Sequence, residues 1–97
     1  MTTLTDDQIS DALAALPDWG RHGDAIQRTF ELPTFPEAID LVDRIAEDAE
    51  AADHHPDMDI RYTKVTVAFS THSAGGITQK DVEAAARVDA LAQREAG

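Results

Sequence analysis

The sequence predicts an α+β fold: α-β-β-α-β-β-α, a four-stranded antiparallel sheet with helices packed on one face. Three observations point to it. Three threonine-led helix starts recur along the 97 residues. Between successive starts lie two pairs of short strand segments, three of them with alternating apolar residues. No repeat or low-complexity linker interrupts the order, so the chain reads as one domain spanning residues 1–97.

The first helix starts in "LTDDQI", with Thr5 as cap, Gln8 answering it, and Leu4 and Ile9 as a hydrophobic staple. Ile9, Leu13 and Leu16 share one face, and Pro17 ends the segment. A short strand around Trp19 then turns through "RHGD", which places His22 in the turn as ordinary surface. "AIQRTFEL" sets Ile26, Phe30 and Leu32 against Gln27, Thr29 and Glu31. Arg28 breaks the apolar face, as a residue near a sheet edge can.

"PTFPEA" opens the second helix, with Thr34 as cap and Glu37 answering; its stripe runs from Phe35 through Ile39, Val42 and Ile45 to Ala49. "MDIRY" alternates Met58, Ile60 and Tyr62, and "VTVAFST" alternates Val65, Val67 and Phe69. Only Thr63 and Lys64 separate them, which reads as a tight hairpin although neither is a strong turn former. "ITQKDV" starts the third helix, with Thr78 as cap, Asp81 answering, and Ile77 and Val82 as staple. That helix is rich in alanine, and the closing "AQREAG" is expected to fray.

Composition works by exclusion. Nineteen acidic against eight basic residues give a formal charge of −11, which offers no positive footprint for nucleic acid. The charge suits a salt-rich habitat and simple solubility alike. No apolar run could span a bilayer, and "MTTLTDD" lacks the pattern of a secretory signal. The absence of cysteine removes disulfides and thiolate chemistry. A soluble, cytoplasmic protein is expected.

Chemistry concentrates in "AEAADHHPDMD". Pro56 disfavours helical geometry at His55, so the second helix ends about here. Glu50 and His54, four apart on its last turn, can share a face, while His55 points elsewhere. His72 lies just past the strand that ends "FST", and the hairpin can return it to the neighbourhood of the pair. Spacing alone leaves His54 equally readable as a residue favouring the negative end of the helix dipole. It reads Asp81 as a capping residue. Three histidines and a carboxylate suit zinc or iron, yet adjacent histidines diverge in extended chain, and H-E-x-x-H is missing. No metal and no cofactor are expected.

Residues 50–81, "EAADHHPDMDIRYTKVTVAFSTHSAGGITQKD", closely resemble the pterin-4a-carbinolamine dehydratase family. That family is marked by Glu-x-x-x-His-His-Pro, an aromatic in the next strand, Thr-His, a Gly-Gly-Leu-Thr-like turn and an Asp. The chain supplies Glu50, His54, His55, Pro56, Tyr62, Thr71, His72, Gly75, Gly76, Thr78 and Asp81 in order. The similarity extends back through "RTFELPTFPEAIDLV" and Trp19. Met58 departs from it, standing where members often carry tryptophan, so the pocket wall lacks a ring face there.

The resemblance implies dehydration of 4a-hydroxytetrahydrobiopterin, or a related pterin, to the quinonoid dihydropterin, in recycling for an aromatic amino acid hydroxylase. It implies His54, His55, His72 and Glu50 as the catalytic set. Pro56, Thr71, Ser73 and Ala74 would line the substrate, with Asp81 and Thr78 as structural support. Histidine suits both proton transfers because its unperturbed pKa is about 6.5. The resemblance also implies a homodimer or homotetramer, and the same superfamily includes non-catalytic interaction and assembly factors.

Overall fold

The computed structural model describes residues 2–96, with side chains through Gln93. Its elements are α1 (Asp6–Ala14), β1 (Gly20–His22), β2 (Ala25–Glu31), α2 (Phe35–Ala52), β3 (Asp57–Arg61), β4 (Lys64–Phe69), a single 3-10 turn (His72–Ala74) and α3 (Gln79–Ala96). The expected order α-β-β-α-β-β-α is the observed one. His22 is the last residue of β1 rather than part of the turn, which is Gly23–Asp24. Helix α3 continues into the "AQREAG" segment, of which Gly97 lies outside the described residues.

The local causes are the capping ones. Thr5 accepts the Gln8 N–H while Gln8 Oε1 accepts the Thr5 N–H, a complete capping box. Thr34 accepts the Glu37 N–H, and a proline in the first turn of α2 forgoes an N–H that would lack a partner.

The sheet is antiparallel throughout in the order β1-β2-β4-β3. Register puts Ile26 opposite Phe69, Arg28 and Met58 on either side of Val67, and Phe30 and Ile60 on either side of Val65. That face meets the helices, so Ile26, Phe30, Val65, Val67 and Phe69 are buried with Ile9, Leu41, Ile45 and Val88. The other face carries Gln27, Thr29, Glu31, Lys64, Thr66, Asp57, Asp59 and Arg61, as the pleat's period of two requires. Arg28 lies just beyond the last residue that β1 pairs, where β2 is locally an edge. Its guanidinium donates to Asp89 at 2.7 Å and lies 4.2 Å from the Phe30 ring centroid, so its charge on the apolar face is paired.

Two details differ from expectation. The hairpin turn is Tyr62–Thr63, one residue earlier than the pattern suggested, and Tyr62 takes φ 53°. The apolar alternation of β3 is also not buried in full. Because β3 is an edge, Met58 is only half-covered, and Ile60 and Tyr62 are exposed.

Candidate active site

Two backbone devices bring the histidines together. Helix α2 stops at Ala52, and Asp53 caps it in the left-handed region at φ 51°. The His54 N–H returns to the Ala49 carbonyl at 3.0 Å. Two histidines therefore leave the helix on a bent, extended segment. Across the cleft, the Thr71 and Gly76 backbones bridge, Gly75 turns at φ 80°, and the 3-10 turn holds His72, Ser73 and Ala74 between them. Gly76 is packed closely: a Cβ there would meet Thr3 Cγ2 at 3.3 Å.

The helix end at Ala52 redistributes the partners. Glu50 and His54 do not share a helical face, because His54 lies beyond the cap. His55 Nε2 meets Glu50 Oε1 at 2.7 Å, in an exposed position. His54 Nε2 meets Asp81 Oδ1 at 2.6 Å, and its ring stacks on Phe69 with centroids 5.9 Å apart. Asp81 is wholly buried. Its Oδ2 accepts the Thr78 N–H at 2.8 Å and the Thr71 hydroxyl at 2.9 Å. The Thr71 proton being used there, the Thr78 hydroxyl donates to Thr71 Oγ1 at 2.8 Å and accepts the Lys80 N–H. Asp81 thus caps α3, as its spacing predicts, and also holds His54. With both Asp81 oxygens occupied, the geometry assigns His54 Nε2 as the donor, leaving Nδ1 unclaimed by that bond.

A cleft of about 370 Å³ is lined by His54, His55, His72, Thr71 and Ser73 together with Asp53, Ser70 and Lys80. The three histidines therefore face one space. Ala74 belongs to the same turn but is not on the cleft wall, and the Thr71 side chain is buried. Pro56 sits in a neighbouring, mostly apolar groove of about 700 Å³ with Glu50, His55 and Met58. His55 lines both. Lys80, Asp53 and Ser70 were not legible as wall residues. The one signal in the sequence is a cation in the first turn of a helix, where the dipole disfavours it. Among the described residues no group of His, Asp and Glu is arranged to hold a metal ion. Two histidines oriented by different carboxylates, with a third across the cleft, can deliver a proton at one point of a ligand and take one up at another.

Comparison with known proteins shows what the chain is similar to. The family described as pterin 4 alpha carbinolamine dehydratase matches residues 2–91. A protein of Nocardia farcinica, provisionally named a pterin-4-alpha-carbinolamine dehydratase, is 57% identical over 95 residues, covering 96% of this chain and 100% of that one. A crystal structure from Brucella melitensis, described as a transcriptional coactivator/pterin dehydratase, superposes with TM-score 0.89 at 34% identity, covering 93% of this chain and 98% of that one. A pterin dehydratase-like protein identified as a RuBisCO assembly factor in the alpha-carboxysome shares the fold, with TM-score 0.67 at 24% identity over 77% of this chain and 89% of its own. With its three-histidine cleft and a match covering nearly its whole length, the chain belongs to the pterin-4-alpha-carbinolamine dehydratase family.

Proposed function

We propose that the protein is a dehydratase acting on 4a-hydroxytetrahydrobiopterin or a related 4a-carbinolamine pterin. The observation that carries this is the cleft onto which His54, His55 and His72 all open, two of them oriented by separate carboxylates. In the reaction the bond from the ring carbon to its hydroxyl breaks, and that hydroxyl leaves as water with a proton from a histidine acid. The adjacent ring nitrogen gives its proton to a second histidine, and its electrons form the new carbon–nitrogen double bond of the quinonoid dihydropterin. Atoms and charge balance without an added oxidant or metal. Glu50 orients His55, Asp81 orients His54, and the backbone of residues 71–73 faces the flat edge of the heterocycle, with Pro56 shaping the adjoining groove.

On this reading the protein works in the cytoplasm as a homodimer or homotetramer within one domain, returning the pterin spent by an aromatic amino acid hydroxylase. Neither nucleic acid nor membrane is a partner. No helix among the described residues is long and apolar enough to cross a membrane, and the charge of −11 opposes phosphate backbones. The test is direct. Carbinolamine generated in situ should convert to quinonoid dihydropterin faster with purified protein than without it, in proportion to enzyme. A rate equal to the uncatalysed one sinks the reading.

A second reading, an interaction or assembly factor, has its own observation. Phe35 and Tyr62 stack at 6.5 Å on the surface, and Ile60 is exposed on the edge strand β3, a combination that invites a protein partner. Absence of turnover combined with a stable protein complex would favour it.

A further inference from the structure

We propose that Lys80 is a substrate-binding residue of this cleft, its ammonium donating to the ring carbonyl oxygen of the pterin; the proposal deepens the dehydratase reading and rests on it for the ligand. Four independent features single out this lysine. It lines the histidine cleft, and it also lines a smaller cleft of about 250 Å³ on another side of His54, with Ala52, Glu83 and Arg87. It stands in the first turn of α3, where the positive end of the helix dipole disfavours a cation. It is exposed, and among the described residues no carboxylate lies within ion-pair distance of it. By contrast Arg21, Arg28, Arg61 and Arg87 all have acidic partners.

A position that breaks a local rule without a visible compensation is where function is expected. The chemistry of the cleft says what the cation meets. The Asp53 carboxylate on the cleft wall can accept from a pterin's amino and N–H groups. For its carbonyl oxygen, His54 and His55 already face carboxylates through Nε2, which leaves Lys80 beside Ser73 and His72 as donors on the wall. Among the described residues Lys80 is the one cationic side chain other than histidine on the wall of the histidine cleft, and an ammonium offers three donors with freedom to aim them.

The experiment compares the parent with K80Q, K80R and K64Q. Lys64 is also without an ion pair among the described residues but sits at the start of β4, so K64Q makes the same charge change away from the cleft. Binding of 7,8-dihydrobiopterin, which cannot be dehydrated, is measured beside turnover. K80Q should raise both Kd and KM about five- to tenfold with kcat reduced less than twofold; K80R should restore most of the affinity, and K64Q should not reproduce the loss. The pH profile supplies a readout that a merely structural role would not move. His54 meets Asp81 and shares its two clefts with Lys80, Glu83 and Arg87 of α3, with Asp53 and His55 just beyond α2, and with His72. Removing one positive charge from that set favours protonated histidine, so the acid limb of kcat/KM should move to higher pH in K80Q.

If K80Q binds and turns over within twofold of the parent, the inference falls and the dehydratase reading survives. If the parent binds dihydrobiopterin in a Lys80-dependent way yet shows no turnover, the inference stands and the dehydratase reading falls. If the parent neither binds nor turns over, both fall.

Discussion

Asp81 joins a helix cap to a candidate catalytic histidine through one buried carboxylate. Replacing it with asparagine disturbs the Thr78 N–H, the Thr71 hydroxyl and His54 together. We expect Asp81→Asn to cost about 2 kcal/mol or more in urea unfolding, above the roughly 1 kcal/mol of a cap alone, because buried donors lose a charged acceptor. His54→Ala and His72→Ala should each lower kcat by about 10²- to 10⁴-fold, down to the spontaneous rate as a floor. His55→Ala should affect KM at least as much as kcat, and Glu50→Gln should be milder, since that pair is exposed and such pairs are worth about 1 kcal/mol or less. Parent-like turnover in both folded His54→Ala and His72→Ala would end the dehydratase assignment. Met58→Trp should leave turnover within a few-fold, about 1 kcal/mol of barrier, because Met58 borders the open apolar groove beside His55 and Pro56; a hundredfold loss would show a differently shaped pocket. Prolonged dialysis against a chelator should change neither turnover nor Tm, since His54 and His55 turn to separate carboxylates; metal-restored activity would overturn that.

The decisive element is the end of α2. Threonine caps, alternating strands and the hairpins were legible because each is set by residues within a turn or two of one another. The histidines and Glu50 stand out in the sequence through their resemblance to a family signature. Their pairing does not. The i, i+4 relation of Glu50 to His54 holds only if the helix continues, and the left-handed turn at Asp53 ends it early. Aspartate tolerates that conformation better than most residues, but its preference is too weak to place a helix end from sequence. The strand order β1-β2-β4-β3, which exposes Ile60, likewise follows from long-range packing that no local pattern specifies. Asp53 also sets a negative charge at the negative end of the helix. Asp53→Asn keeps the left-handed preference and removes that charge, so stability should rise by about 0.3–1 kcal/mol in denaturant titration. A loss of stability instead would mean that the carboxylate has a favourable role that outweighs the dipole.

At the scale of the molecule, two features pull in opposite directions on assembly. The charge of −11 makes copies repel, while β3 leaves one backbone edge unpaired with Ile60, Tyr62 and Phe35 exposed near it. A standard interface needs about 800 Å² per partner, roughly one seventh of the 5693 Å² surface, which a strand edge with flanking aromatics can contribute to substantially. Screening by salt weakens the repulsion and leaves the apolar contact, since the Debye length falls to about 3 Å at 1 M. We therefore expect a homodimer or homotetramer whose fraction grows between low and moderate ionic strength, measured by light scattering coupled to size exclusion. Ile60→Thr with Tyr62→Ser keeps the charge and strand propensity at position 60 while removing apolar surface, and should shift the mass toward monomer. A monomer at every salt concentration would remove the homo-oligomer from the proposal. An oligomer untouched by the double variant would move the seam away from β3, leaving the groove along α2 between Ala46 and Met58 as the other apolar surface able to form it.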